Sequence, residues 1–154
     1  MATVHQTSAA TPAWRKLALF QSGDLLCGLD INHVQEINQN LAITVVHRAP
    51  EYVRGVINLR GSIVTVIDLR KKFGFEPLQE EVETQIVIIR QGDEYIGLLV
   101  DSVSDVVLAG EDDIEPPPSN LGGVAGQYFK GIFKQENTLV AILNIEELLV
   151  QDYE

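Results

Sequence analysis

An internal repeat is the feature of this sequence that most constrains its fold. Residues 17–37 align without gaps on residues 86–106 at an offset of 69, and residues 52–69 align on residues 128–145 at an offset of 76. Two ungapped blocks in the same order indicate a duplicated unit, and chance resemblance between β-rich stretches is the weaker explanation. The identical pairs are Gly23/Gly92, Asp24/Asp93, Gly28/Gly97, Leu29/Leu98, Val34/Val103, Tyr52/Tyr128, Gly55/Gly131 and Val64/Val140.

The two offsets differ by seven, which places extra residues in the second half, between Val106 and Tyr128. The segment EDDIEPPPSNLGG (residues 111–123), with its acidic residues and three consecutive prolines, lies in this stretch, and we expect it to be a loop. Each half then reads as two strands around a Gly-Asp turn, a short helical segment, two strands around a tight turn and a closing helix. We expect half 1 to span about residues 15–75 and half 2 about residues 84–150, after a flexible tail over residues 1–14.

Short apolar runs, rich in Val and Ile and separated by Gly or Asp, predict strands. Residues 32–38, 70–73 and 145–150 instead favour short helices. Because closure of a sheet removes its exposed edges, the pattern predicts an all-β fold of two small packed barrels related by the repeat. The predicted strands lie at residues 15–21, 24–31, 42–46, 55–59, 62–69, 84–91, 94–101, 105–109, 130–134 and 137–145.

The charge balance excludes nucleic acid as a partner. Twenty-two acidic residues against 11 basic ones give a formal net charge of −11, which repels a phosphate backbone. A composition of 45% hydrophobic and 21% charged residues is typical of a soluble globular protein. No apolar run approaches the ~18 residues of a membrane span, and residues 1–14 do not resemble a signal peptide. We therefore expect a cytoplasmic protein without direct membrane insertion.

Few residues are arranged for chemistry. The single cysteine, Cys27, cannot form an internal disulfide, and its position among leucines indicates a buried residue of a barrel wall. The histidines His5, His33 and His47 lack metal-site spacing, and no nucleophile-elbow, dinucleotide-binding or P-loop motif occurs. We expect no enzyme activity, no cofactor and no metal.

The tight turns of the second repeated block differ in charge. Residues 58–61 read N-L-R-G, whereas residues 134–137 read K-Q-E-N. Gly61 and Asn137 tolerate the positive φ that such turns require, so neither turn needs an arginine in order to form. A rigid guanidinium at a turn is typical of a protein-binding anchor. The alternative is that Arg60 only pairs with an acidic neighbour.

Four motifs, in order, resemble those of the CheW coupling proteins of bacterial chemosensory systems. They are GLDINHVQEI (residues 28–37), VRGVINLRGSIVTVIDLRKKFG (residues 53–74), YIGLLVDSVSDVV (residues 95–107) and LNIEELL (residues 143–149). The resemblance covers about residues 15–150. It implies a fold of two packed five-stranded SH3-like barrels with short helices, which agrees with the repeat.

The resemblance also implies the function of a non-enzymatic adaptor. Proteins of this family bridge the cytoplasmic tips of methyl-accepting chemoreceptors and the regulatory domain of the histidine kinase CheA, so recruitment to membrane-bound receptor arrays is expected. By motif, the positions expected to contact receptor or kinase are Arg60, Glu36, Val34, Gly61 and Asn58.

One position departs from the family pattern. Thr65 stands where the family often has a proline, and because threonine is a good strand residue the fold is unaffected. Two other functions stay open. Apolar strands could line the cavity of a small-molecule-binding β-barrel, although five-stranded barrels are filled by their own side chains. A coupling protein of a non-flagellar chemosensory pathway would carry the same motifs.

Overall fold

The computed structural model describes residues 13–39, 41–76 and 83–149. Within these residues the helices are short, α1 (Leu69–Phe73) and α2 (Ile145–Leu148), with 3-10 turns at Ile31–His33, Glu111–Asp113 and Gly126–Tyr128. The all-β prediction is confirmed. The strands are β1 (Trp14–Ser22), β2 (Leu25–Asp30), β3 (Val34–Gln39), β4 (Val53–Leu59), β5 (Ser62–Asp68), β6 (Gln85–Gln91), β7 (Glu94–Val100), β8 (Ser102–Gly110), β9 (Ile114–Glu115), β10 (Asn120–Leu121), β11 (Val124–Ala125), β12 (Phe129–Gln135) and β13 (Thr138–Leu143).

Two sheets build the molecule. Strands in the order β8-β1-β2-β13-β12-β9 form barrel 1, strands in the order β3-β6-β7-β5-β4 form barrel 2, and β10 pairs with β11. In barrel 2 the chain beyond β3 returns to the far edge of the sheet, where Thr44 and Val56 exchange two backbone hydrogen bonds of 2.8 Å. In barrel 1 β9 covers the edge of β12 in the same way. Both sheets therefore curl into SH3-like barrels, as the resemblance implies.

The barrels do not coincide with the two repeat halves. Barrel 1 combines the β1–β2 hairpin of half 1 with β8, β9 and the β12–β13 hairpin of half 2, and barrel 2 combines β3, β4 and β5 with the β6–β7 hairpin. The exchange is reciprocal, because β3 pairs with β6 while the equivalent β8 pairs with β1. The parallel pairs β2–β13 and β5–β7 join the exchanged parts. The described residues between Val34 and Val100 thus form barrel 2 as an insertion into barrel 1.

Central strands are apolar on both faces because each separates two cores. In β6, Ile86 and Ile88 point into barrel 2, whereas Val87 and Ile89 point into a core shared between the barrels. Such strands read as continuous apolar runs rather than as an alternating pattern. Cys27 is fully buried in the shared core, which confirms its predicted place. The shared core also contains Phe20, Leu29, Ile67, Leu69, Phe73, Leu98, Val100, Val124, Phe129, Ala141, Leu143, Ile145 and Leu148.

The repeated glycines Gly28 and Gly97 occupy matching positions inside the two barrels. A Cβ on Gly28 would lie 2.9 Å from Val140 Cγ1, and a Cβ on Gly97 would lie 2.9 Å from Ile86 Cγ2. Both distances are too short for carbon atoms in van der Waals contact, so the barrel interiors leave room only for a hydrogen.

A second glycine pair, Gly55 and Gly131, allows the barrels to close. Each lies beside a β-bulge in its hairpin. A Cβ there would lie 2.2 Å from the Thr44 carbonyl oxygen in one barrel and 2.8 Å from the Glu115 carbonyl oxygen in the other. The closing segments reach the sheet edge because no side chain stands in their way.

The helix predicted at residues 32–38 is wrong. The chain forms a 3-10 turn at Ile31–His33 and continues as β3, whose alternate residues are half-buried. Its backbone pairs with β6, a distant segment that no local pattern reveals. The helices predicted at residues 70–73 and 145–150 correspond to α1 and α2, which Asp68 and Asn144 cap with side-chain oxygens. Position 150 lies outside the described residues.

The stretch predicted as a loop, residues 111–123, has structure of its own. It contains the 3-10 turn at Glu111–Asp113, the closing strand β9 and strand β10, which pairs with β11. Conversely, the run at residues 42–46 makes only the bridge of Thr44 to Val56. Residues 1–12 of the predicted tail lie outside the described residues, and Trp14 begins β1.

Candidate protein-docking site

Arg60 lies at the tip of the β4–β5 hairpin. Its φ is 53° and that of Gly61 is 91°, and two consecutive positive φ values match the twist of the flanking strands. Asn58 Oδ1 accepts a 3.0 Å hydrogen bond from the Gly61 amide, which fixes the turn. A Cβ on Gly61 would meet nothing within 4 Å, so this glycine serves the backbone conformation and not close packing. Asn58 and Gly61 therefore hold Arg60 in place.

Closure of barrel 2 brings Glu36 to Arg60. Glu36 lies on β3 and Arg60 follows β4, and these strands occupy opposite edges of the five-stranded sheet. Arg60 Nη2 donates a hydrogen bond to Glu36 Oε2, and Arg60 Nη1 donates to Glu36 Oε1 at 3.4 Å. The guanidinium thus binds the carboxylate through two parallel bonds, a geometry that lysine cannot reproduce.

The Arg60–Glu36 pair lies on the surface. The Arg60 side chain is 68% exposed and the Glu36 side chain 26%. The hydrogen bond from Arg60 lowers the pKa of Glu36, and the same bond raises the pKa of Arg60. Exposed ion pairs contribute little to folding stability. Arg60 does pair with an acidic neighbour, and that neighbour, Glu36, is the other charged residue among the five predicted site residues, so the two interpretations of Arg60 are compatible.

Val34 is placed differently from the other four predicted site residues. It is partly buried and packs against the shared core. A β-bulge separates it from Glu36, because Val34 pairs with Ile89 and Glu36 with Ile88. The structure brings Arg60, Glu36, Gly61 and Asn58 together at one end of barrel 2, while Val34 anchors the strand that carries Glu36.

A second ion pair, Arg70–Asp101, was not predicted as a functional pair from the sequence. Arg70 Nε and Nη2 donate to Asp101 Oδ1 and Oδ2 at 2.9 and 2.8 Å, and the two side chains are only 20% and 16% exposed. The hydrogen bond to Asp101 raises the pKa of Arg70. One signal was present in the repeat: Asn32 occupies the position equivalent to Asp101, so the charge occurs in one half only.

Among the residues that the structure describes, no group of three or more His, Cys, Asp or Glu side chains is placed to hold a metal ion. In the same parts of the chain, no helix has the length and apolar character needed to cross a membrane.

Two packed SH3-like barrels with interiors filled by their own side chains define the class of protein, a β-barrel scaffold, and the exposed Arg60–Glu36 pair lies at the end of one barrel. Residues 16–152 match the family model of the CheW-like domain. The chain therefore belongs to the CheW-like family and acts as an adaptor in chemotaxis signalling.

The similarity to individual relatives extends over most of the length of each protein. The chain is 32% identical over 149 residues to chemotaxis protein CheW of Klebsiella aerogenes, which covers 97% of this chain and 89% of that protein. It is 34% identical over 134 residues to chemotaxis protein CheW of Helicobacter pylori, with 87% and 81% covered. Protein FrzA of Myxococcus xanthus is 29% identical over 133 residues, with 84% and 82% covered. The crystal structure of the scaffolding protein TtCheW from Thermoanaerobacter tengcongensis superposes with a TM-score of 0.79 at 34% identity, covering 87% of this chain and 90% of that one.

Proposed function

We propose that this chain couples chemoreceptors to the regulatory domain of the kinase CheA, and that the end of barrel 2 formed by residues 58–61 and Glu36, the Arg60 end, is one contact surface. The observation that carries the proposal is that Arg60 is held by its turn and by Glu36 while most of its side chain is exposed. A preorganised side chain loses little conformational freedom on binding. Glu36 occupies two of the five guanidinium donors, which leaves others for a partner's carboxylate or carbonyl groups.

The proposed adaptor is non-enzymatic and cytoplasmic, and it is recruited to receptor arrays through the cytoplasmic tips of membrane-bound receptors. A face on one small barrel buries on the order of 800 Å² per partner or less. Each contact is then of modest affinity, and the strength of attachment comes from many contacts within an array.

Size-exclusion chromatography tests the proposal directly. The purified chain is mixed at tens of micromolar with a CheA regulatory domain, and in a second run with a receptor cytoplasmic fragment. Co-elution is expected with each partner, and less of it for R60A with the partner that contacts the Arg60 end. A wild-type chain that co-elutes with neither partner would contradict the proposal.

The small-molecule alternative is less well supported. Leu17, Leu19, Val140 and Ile142 fill barrel 1 and comparable side chains fill barrel 2, as expected of barrels this small. A cleft of about 510 Å³ lies between the barrels, but its lining mixes acidic and basic side chains such as Asp30 and Lys130. Native mass spectrometry of the purified protein would reveal a retained ligand. A non-flagellar pathway would use the same Arg60 end, and the motility phenotype of a deletion strain separates that case.

A further inference from the structure

The end of barrel 1 that is equivalent in the repeat to the Arg60 end has the same strand pairing. The β12–β13 hairpin pairs residue for residue like the β4–β5 hairpin, and each has a register shift at its glycine, Gly131 or Gly55. At the tip of the hairpin Glu136 has a φ of 54°, compared with 53° for Arg60. Glu136 therefore shares the position and the left-handed φ of Arg60, whereas Asn137 lacks the positive φ of Gly61.

The strand that supplies the second charged residue is matched as well. In barrel 2, β3 shifts register against β6 between Val34 and Glu36. In barrel 1, β8 shifts register against β1 at the equivalent point, between the pairs of Val103 with Phe20 and Val106 with Ala18. This places Asp105 at the position of Glu36. We call residues 134–137 and Asp105 the Glu136 end.

Apolar side chains next to the two ends are also matched. Ile37 follows Glu36 and Val106 follows Asp105, and both are exposed. Ile63 and Leu139 lie at the same position beyond their turns, and both are exposed. The two ends therefore share their strand pairing and their exposed apolar neighbours, and they differ in charge.

The sign of the charge is reversed at the tip of the turn, where Glu136 takes the position of Arg60. The Arg60 end carries a guanidinium and a carboxylate, whereas the Glu136 end carries the two carboxylates of Glu136 and Asp105 and the ammonium group of Lys134, which takes the position of Asn58. A partner that places an acceptor against Arg60 would bring it against a carboxylate at the Glu136 end. Like charges brought together across an interface suppress binding of the wrong partner.

We propose that Glu136, together with Asp105, is a specificity determinant that excludes from barrel 1 the partner that binds the Arg60 end. The duplicated fold presents two ends of similar shape to one partner, and the two carboxylates restrict that partner to the Arg60 end. The two barrels of the adaptor then bind different partners. This inference rests on the proposed function of the Arg60 end.

Isothermal titration calorimetry with the CheA regulatory domain and with the receptor fragment tests the inference, because it measures how many partner molecules bind to each chain. The wild type is expected to bind the partner of the Arg60 end once per chain. The variant E136R, which can pair with Asp105, is expected to bind that partner twice. The stricter variant replaces all four turn residues and also Asp105, so that both ends carry the same residues. Its substitutions are K134N, Q135L, E136R, N137G and D105E. E147R makes the same charge change at an exposed position of α2, so it is the matched control and should keep one site.

Each result has a distinct meaning. A second site in E136R or in the stricter variant, absent from E147R, supports the inference. A stoichiometry of one in both variants, with wild-type binding intact, overturns the inference and leaves the proposed function standing. A wild type that binds neither partner overturns the proposed function and the inference with it.

Discussion

Gly23 and Asp101 join the two barrels: the Gly23 amide, in the β1–β2 turn of barrel 1, donates a 3.0 Å hydrogen bond to Asp101 Oδ2. Asp101 is the single residue between β7 of barrel 2 and β8 of barrel 1. The same carboxylate binds Arg70, whose Nη1 also donates to the Glu76 carbonyl oxygen at 2.7 Å. One carboxylate thus connects a hairpin of barrel 1 with α1, the helix that follows β5 of barrel 2.

We expect D101N to destabilise the protein, because it leaves the Arg70 guanidinium without a counter-ion in a site that is about four-fifths buried. The loss should be about 2 kcal/mol, or roughly 4–8 °C in the unfolding temperature for a domain of this size. Differential scanning calorimetry measures it. E111Q, which breaks the exposed pair of Arg15 with Glu111, is the control and should change the unfolding temperature little. Equal effects of the two variants would show that the Arg70–Asp101 pair has no special structural role.

G28A and G97A should each destabilise the chain by about 1–3 kcal/mol, because the added methyl group overpacks a barrel interior. The repeat predicts effects of similar size in the two barrels. Chemical denaturation measures both. G61A is the comparison, since its Cβ enters open space and only the positive φ opposes it. A neutral G28A or G97A would mean that the barrel relaxes around the methyl group.

R60A should leave the unfolding temperature nearly unchanged and weaken binding of the Arg60 end to its partner about tenfold, the size of effect seen for anchor residues. The swap E36R/R60E separates pairing from recognition. It retains an ion pair with the opposite orientation, so we expect a stable fold without partner binding. Restored binding in the swap would show that the partner requires the pair but not its direction. A large loss of stability in R60A would make Arg60 a structural residue.

The pKa of Glu36 should rise toward that of an ordinary glutamate in R60Q, because the hydrogen bond from Arg60 lowers it in the wild type. Carbon-13 NMR titration of the side-chain carboxyl measures the shift. A carboxyl whose pKa is lower in the folded than in the unfolded state stabilises the fold at neutral pH, and this contribution disappears as the pH falls through the folded-state pKa. Any stability difference between wild type and R60Q should therefore vanish in acid. R15Q, remote from the pair, should leave the titration of Glu36 unchanged.

Cys27 should react with thiol reagents only when the protein unfolds. Burial raises the pKa of its thiol far above the ordinary value, and the thiolate is the reactive form. Labelling by an aromatic disulfide reagent should be complete at once in denaturant and slow in native buffer. Rapid labelling of the native protein would reveal an opening of the shared core.

Much of the local structure could be predicted from the sequence. The Gly-Asp turns, the hairpins, two of the three short helices and the burial of Cys27 follow from residue types at fixed spacings. The turn with Arg60 was identifiable because the equivalent turn has Glu136 at that position. The partner of Arg60 was not evident from spacing alone, since Glu36 lies 24 residues away on the opposite edge of a sheet that must first close.

The sequence by itself determined the repeat, the hairpins and the turn glycine Gly61, because these depend on residues close together in the chain or on a backbone conformation. Only the tertiary structure decided which strands share a barrel. β1 and β6 are equivalent in the repeat, so the residue pattern of β3 fits either of them equally well. The length of the connection decides between the two pairings. A single residue, Asp101, separates β7 from β8, and this connection is too short for the chain to turn back to β6. The chain therefore runs on into the other barrel, and the two halves exchange strands.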